Sequence, residues 1–251
     1  MSAEPLIEMA GVTVQAGDGV AVVLRDVDWR LARGECWAVG SAPGHGKTSW
    51  LATAASLNRP GGGTLRFFGR ALEDATEREQ VDWRRRMGYV FENGGRLLSH
   101  LTVAQNVALP LRYHAPEISD EDLGERVAGL LARSQLTGHA LAMPSRLSQR
   151  LAQRASLARA LATRTEVLFL DNPLSGLGPH EARWWTDYLR ELRQENSAGA
   201  DALTIVATCD DFRPWLELAT RFAVIENDRL RVIGGRQEVS ASQEPSVREL
   251  L

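Results

Sequence analysis

The chain has 251 residues, 44% of them hydrophobic, with 29 Lys and Arg against 32 Asp and Glu for a formal net charge of -3. That length and apolar content bury a substantial core, in one lobed unit or two closely joined lobes, and exclude a disordered chain. The cations are spread along the sequence, so no basic patch argues for a nucleic-acid partner.

No apolar run approaches the roughly 20 residues that a membrane-spanning helix needs. The opening text MSAEPLIEMA lacks the basic and apolar regions of an export signal, so a cytosolic location is expected. Cys36 and Cys209 show neither metal-ligand spacing nor a disulfide framework, which fits a reducing compartment and small apolar core roles.

From Leu6 to about Val39, short β-type runs (LIEMAGVTV, VAVVLRDVDWRLA, ECWAV) are broken by Gly, Asp and Arg-Gly turns. ECWAVG leads straight into SAPGHGKTSWLATAASL, a Gly-bearing loop that enters an Ala/Leu-rich helix. A strand pair around GGTLRFFG, a charged helix from Thr76 to Arg86 and a strand MGYVF follow. Between about Glu92 and Thr163 the β signals vanish. TVAQNVALPLRYH, SDEDLGERVAGLLARSQL and SQRLAQRASLARALA each have helical periodicity and a Ser or Thr cap, which predicts a helical insertion. Strand signals resume at EVLFLDNP, TIVATC, RFAVIEN and LRVIGG, with the amphipathic helix PHEARWWTDYLRELRQEN between the first two and a polar turn from Asn196 to Asp201. Strands alternating with helices on both sides of the insertion predict an α/β core on a mainly parallel sheet. Trp184 and Trp185, adjacent on that helix, are expected to split between core and surface packing.

Ser41, Ala42, Pro43, Gly44, His45, Gly46, Lys47 and Thr48 match the phosphate-loop pattern G-x-x-x-x-G-K-[ST] except at the first Gly, and Ser49 follows them into the helix. Backbone N–H groups at a helix start point at phosphates, Lys47 supplies a point charge for the β and γ positions, and the Thr48 hydroxyl is suited to Mg2+. Ser41 carries a Cβ that Gly lacks, and Gly40 before it is placed to take up part of any conformational cost.

With this loop, VFENGG, PSRLSQRLAQRASLARALA, VLFLDNPLSGLGP and TIVATCDD occur in an order and spacing that resembles the ABC transporter ATP-binding subunits over nearly the whole chain. They look like that family's Q-loop, signature helix, Walker B strand with D-loop, and switch segment. Within the family, QNVALPLRYH and PSVRELL resemble the phospholipid transporters of the MCE type that maintain lipid asymmetry. The resemblance implies a RecA-like P-loop NTPase core with an N-terminal antiparallel β-subdomain, spanning 1–91 and 164–251, and an inserted α-helical subdomain at 92–163. It implies ATP and Mg2+ as cofactors, a second ABC ATPase subunit as homo- or heterodimer partner, and docking on an integral membrane permease at the inner face of the membrane.

The resemblance also marks departures. Asp171 stands where the family's Mg2+-holding Asp stands, but the next position, a Glu in the family, is Asn172, whose neutral amide cannot take a proton. The switch His position is Cys209, and the Q-loop position is Glu92. Glu92 is open to three readings: a relocated base, an added Mg2+ contact, or a solvent-facing carboxylate. The signature reads Leu147, Ser148, Gln149, Arg150 in place of Leu-Ser-Gly-Gly, with Arg150 either a cation acting on a partner's phosphate or a solvated charge. The D-loop reads Ser175, Gly176, Leu177, Gly178, with Gly in the family's Asp position. No aromatic suited to stacking on adenine stands between Val14 and Val20. Two readings follow: a transport ATPase with weakened hydrolysis, or a non-hydrolysing structural or regulatory subunit that holds Mg-ATP.

Overall fold

A computed structural model describes residues 4–17, 19–42, 44–93, 96–195 and 202–251. Pro43 of the phosphate loop and the expected polar turn at 196–201 lie outside the described residues.

Continuous apolar runs become the centre of the larger sheet. β3 (Cys36–Gly40), β7 (Val167–Leu170) and β8 (Thr204–Cys209) are buried at every position, as strands covered on both faces must be. With β6 (Met87–Val90), β9 (Arg221–Glu226) and β10 (Arg229–Gly234) they form a six-stranded sheet in the order β10-β9-β3-β8-β7-β6. All its pairings are parallel except β9 with β10. The alternating strands β1 (Ile7–Gln15) and β2 (Val22–Leu31) join β4 (Gly62–Phe67) and β5 (Arg70–Ala71) in a second, antiparallel sheet of order β2-β1-β4-β5.

One apolar cluster fills the space between the two sheets around α1 (Lys47–Ala54). Trp29 is central to it, edge-on to Trp37 at 5.7 Å and to Trp50 at 5.1 Å between ring centroids. A second cluster lies under α6 (Pro179–Glu195), where Trp185 is fully buried and Trp184 half-buried, the split the sequence predicts. Both cysteines are free and buried. α2 (Glu77–Arg86) starts at a Thr76–Glu79 capping box, with Arg84, Arg85 and Arg86 in its last turn.

The predicted helical insertion has its own core. α3 (Val103–His114), α4 (Asp120–Arg133) and α5 (Gln149–Ala160) pack around Val107, Leu131 and Ala158. Their starts are fixed by Thr102, Ser119 and Ser148, each accepting a backbone N–H three residues on.

Two short helices were not foreseen: α7 (Arg236–Ala241) and α8 (Pro245–Arg248). They carry the C-terminus back over the end of β3, where the Phe212 N–H donates to the Leu250 carbonyl at 2.7 Å. Gly40 is the residue that lets Leu250 in. It sits in extended backbone and relieves no strain at Ser41, contrary to the sequence expectation; a Cβ there would stand 2.5 Å from Leu250 Cδ1 and 2.8 Å from the Phe212 ring. Gly40→Ala is therefore expected to cost about 1–3 kcal/mol by overpacking. A thermal melt of the full chain checks it, since each kcal/mol moves Tm by roughly 2–4 °C at this size.

Candidate functional site

Four neighbouring parallel strands end at one edge of the large sheet, and the residues just past those ends make the site. Past β3 comes the phosphate loop, past β8 Asp210, past β7 Asp171 and Asn172, and past β6 Glu92. Carboxyl ends of parallel strands are where open α/β sheets bind ligands. A cleft of about 330 Å³ opens there, lined by Lys47, Thr48, Glu92, Asp171, Asn172 and Asp210, with Gly44, Gly46 and Ser49 along the loop side.

The loop enters α1 without a side-chain cap. Gly46 is the N-cap residue, with φ 90°, and Gly44 has φ 83°. The first N–H groups of α1 are left for an anion. Ser41 has no positive φ, so a serine costs nothing at that position. It is buried, and its hydroxyl donates to the Ala42 carbonyl at 2.8 Å, which His45 Nδ1 also approaches at 3.1 Å.

Lys47 is 8% exposed, and its Nζ donates to the Ser41 carbonyl at 2.8 Å and the Cys209 carbonyl at 3.3 Å and pairs with the Asp210 carboxylate. The Thr48 hydroxyl donates to Asp171 Oδ1 at 3.1 Å, and the Thr208 hydroxyl donates to the same oxygen at 3.0 Å. Burial raises the Asp171 carboxyl above its ordinary range and the Glu92 charge adds to that, against the two hydroxyl bonds and Lys47. Asp210 goes the other way: burial would raise it, but the bonds from Lys47 and Asn172 hold it below its usual value.

Asn172 is the hub. Its backbone has φ 43°, a left-handed value that Asn tolerates, and its N–H donates to the Thr208 hydroxyl at 2.9 Å. Its amide nitrogen donates to Glu92 Oε1 at 2.9 Å and to Asp210 Oδ2 at 2.8 Å. Both partners are carboxylates, which only accept, so the NH2 end of the amide has to face them.

Cys209 does not reach this cleft. Its thiol lies 3.9 Å from the Val39 carbonyl in the interior, where burial pushes its pKa far up; only its backbone carbonyl meets Lys47. Every residue of β8 is buried, so nothing in the sequence told which face Cys209 takes. The residues sequence reasoning missed are Asp210 and Thr208, its neighbours in TIVATCDD. The first Asp of that text and its second Thr were the available signal.

The signature residues stand apart from the cleft. Ser148 caps α5, Gln149 Nε2 donates to Asn93 Oδ1 at 3.1 Å, and Arg150 lies 3.5 Å from Glu181 on α6. Leu147 packs on the helical core. In the D-loop, Ser175 N–H closes a turn on the Asn172 carbonyl at 3.1 Å, Gly176 has φ 70°, and Leu177 packs under α6. The Gly178 carbonyl accepts the N–H groups of Glu181 and Ala182 at the start of α6.

Among the described residues no group of three or more His, Cys, Asp or Glu is arranged to hold a metal ion. The Thr48 hydroxyl and Asp171 carboxylate make a small, hard oxygen set. That set fits Mg2+, which takes one or two protein oxygens and completes its shell with water and phosphate oxygens.

A profile described as ABC transporter matches residues 24–175. The chain is 35% identical over 223 residues to the sulfate/thiosulfate import ATP-binding protein CysA of Caulobacter vibrioides, covering 88% of this chain and 62% of that one. It is 36% identical over 192 residues to the methionine import ATP-binding protein MetN 1 of Rhodococcus jostii, covering 76% and 56%. It thus spans about three fifths of the length of these relatives. In fold it is similar to the ATP-binding cassette MJ0796, solved as a dimer in a post-hydrolysis state bound to ADP and Pi, with TM-score 0.81, 24% identity, and coverage of 91% of this chain and 98% of that one.

Proposed function

This chain belongs to the ABC transporter family, and from that premise we propose that it is an ATP-binding subunit that holds Mg-ATP, docks on an integral membrane permease and pairs with a second ABC ATPase subunit. The convergence of Lys47, Thr48 and Asp171 on one cleft at the start of α1 carries the reading. Lys47 and the first N–H groups of α1 bind the β- and γ-phosphates, while Thr48 and Asp171 hold Mg2+. The ion, when bound, neutralises charge on the triphosphate. Among the described residues no helix is long and apolar enough to cross a membrane; the proposed place of the chain is peripheral, on the inner face of a permease-bearing membrane.

Hydrolysis is slow in this proposal. Both N–H bonds of the Asn172 amide already serve carboxylates, and its carbonyl oxygen is no base at neutral pH. With no base at position 172, about 10²-fold of the roughly 10²- to 10⁴-fold that general-base catalysis supplies goes unrealised, so from a typical enzyme turnover of about 10 s⁻¹ the full chain is expected to fall to about 0.1 s⁻¹. Phosphate release at several per second contradicts the proposal.

Phospholipid is the proposed cargo of the complex, on the strength of the texts QNVALPLRYH, which forms most of α3, and PSVRELL, which forms α8 and the Leu250 contact with Gly40. Tagged chain purified from detergent-solubilised membranes is expected to bring a multi-span membrane protein with bound phospholipid, detected by mass spectrometry. A complex free of phospholipid overturns the cargo. Recovery of the chain alone overturns the permease.

A second reading has its own support: Gln149 and Arg150 are engaged by Asn93 and Glu181 of the same chain. A signature so occupied suits a subunit that holds nucleotide for structure or regulation beside an active ATPase partner.

A further inference from the structure

Three carboxylates face the cleft, and two of them are committed. Asp171 accepts two hydroxyls and is the residue placed for Mg2+. Asp210 is neutralised by Lys47. Glu92 is half-buried, accepts one bond from Asn172, and among the described residues pairs with no cation. It is the carboxylate left with lone pairs for a water molecule.

Its position is held from two sides. Glu92 follows β6, which pairs with β7 in register up to Val90 opposite Leu170, one residue before Asp171. The Asn172 amide then bridges Glu92 to Asp210, and its own backbone is fixed by Thr208. An amide that donates to a carboxylate leaves the second carboxylate oxygen free to accept.

We propose that Glu92 is the general base of the residual ATP hydrolysis, with Asn172 as its positioning residue; the inference rests on the nucleotide-binding reading above. A lone pair of the water oxygen forms the new bond to the γ-phosphorus. The bond from that phosphorus to the β–γ bridging oxygen breaks, its electron pair leaving with ADP. The water proton passes to the Glu92 carboxylate and then to solvent, so that ATP and water give ADP, phosphate and a proton.

The test uses the full chain and Glu92→Gln, measured two ways: equilibrium binding of a fluorescent ATP analogue with and without Mg2+, and single-turnover phosphate release from ATP. Phosphate release is expected to fall by about 10²-fold or more, with Mg-nucleotide affinity changed by less than about threefold. The double variant Glu92→Gln, Asn172→Glu exchanges amide and carboxylate while keeping one hydrogen bond between them, and is expected to regain at least about tenfold of the lost rate. Equal release from Glu92→Gln and the unmodified chain overturns the inference. So does a joint loss of release and affinity that added Mg2+ reverses, which makes Glu92 a metal contact. An unmodified chain that binds Mg-ATP and releases no phosphate overturns it too, and leaves nucleotide binding standing. An unmodified chain that binds no nucleotide overturns the nucleotide-binding reading itself, and the base with it.

Discussion

Glu181→Ala is expected to destabilise the chain by about 3–5 kcal/mol, the cost of leaving a buried charge without its partner. Arg154 on α5 and Glu181 on α6 are 4% and 6% exposed at their side chains, joined by two bonds of 2.6 and 2.9 Å. The guanidinium also donates to the Gln135 side chain at 2.5 Å and lies 3.7 Å over the Trp184 ring. Without Glu181, the cation keeps a neutral amide and an aromatic face but loses its counter-charge. Arg154→Met with Glu181→Leu removes both charges and is expected to cost far less, because a buried ion pair returns little beyond its own desolvation. Urea unfolding of the three proteins checks this. The pair ties the signature helix to the sheet core, so the single variant is expected to loosen the helical lobe first.

Lys47→Ala is expected to weaken Mg-ATP binding by about 10²-fold or more, roughly 3 kcal/mol, in the range for truncating one partner of a buried charge pair. The effect is large because of what remains. Asp210 loses its cation, so Asp171, Asp210 and Glu92 all face an incoming triphosphate with no lysine among them. In the unmodified chain, nucleotide competes with Asp210 for Lys47. Equilibrium titration of both proteins measures the difference, and equal affinities contradict the assignment of Lys47.

Much of the fold was legible because its strongest elements carry unmixed signals. VLFL is apolar throughout and TIVATC apolar but for its two Thr, and both became central parallel strands. Thr102, Ser119 and Ser148 marked three helix starts. The C-terminal helices were not legible, since each is under two turns long and offers one buried anchor, Val239 or Val247, too little for a period to register.

The site divides in the same way. The loop from Ser41 to Thr48 is contiguous, so its chemistry is written in one stretch of text. Asp171 and Glu92 were found by the resemblance and do meet Thr48 and Asn172 in one cleft. What depends on facing direction was not legible: a strand buried on both sides gives no alternation, so the facing of Cys209 could not be told from that of its neighbour Thr208. The pairing of Arg154 with Glu181, 27 residues apart on different helices, left no mark in either segment.

The cleft at the start of α1 is expected to hold a magnesium-bound nucleoside triphosphate. Calorimetric titration of the full chain with a non-hydrolysable ATP analogue, with Mg2+ and then with chelator, tests it most directly. Saturable binding of one nucleotide per chain, weakened by chelator, is the expected result. A folded chain that gives no saturable heat with Mg2+ present contradicts the claim.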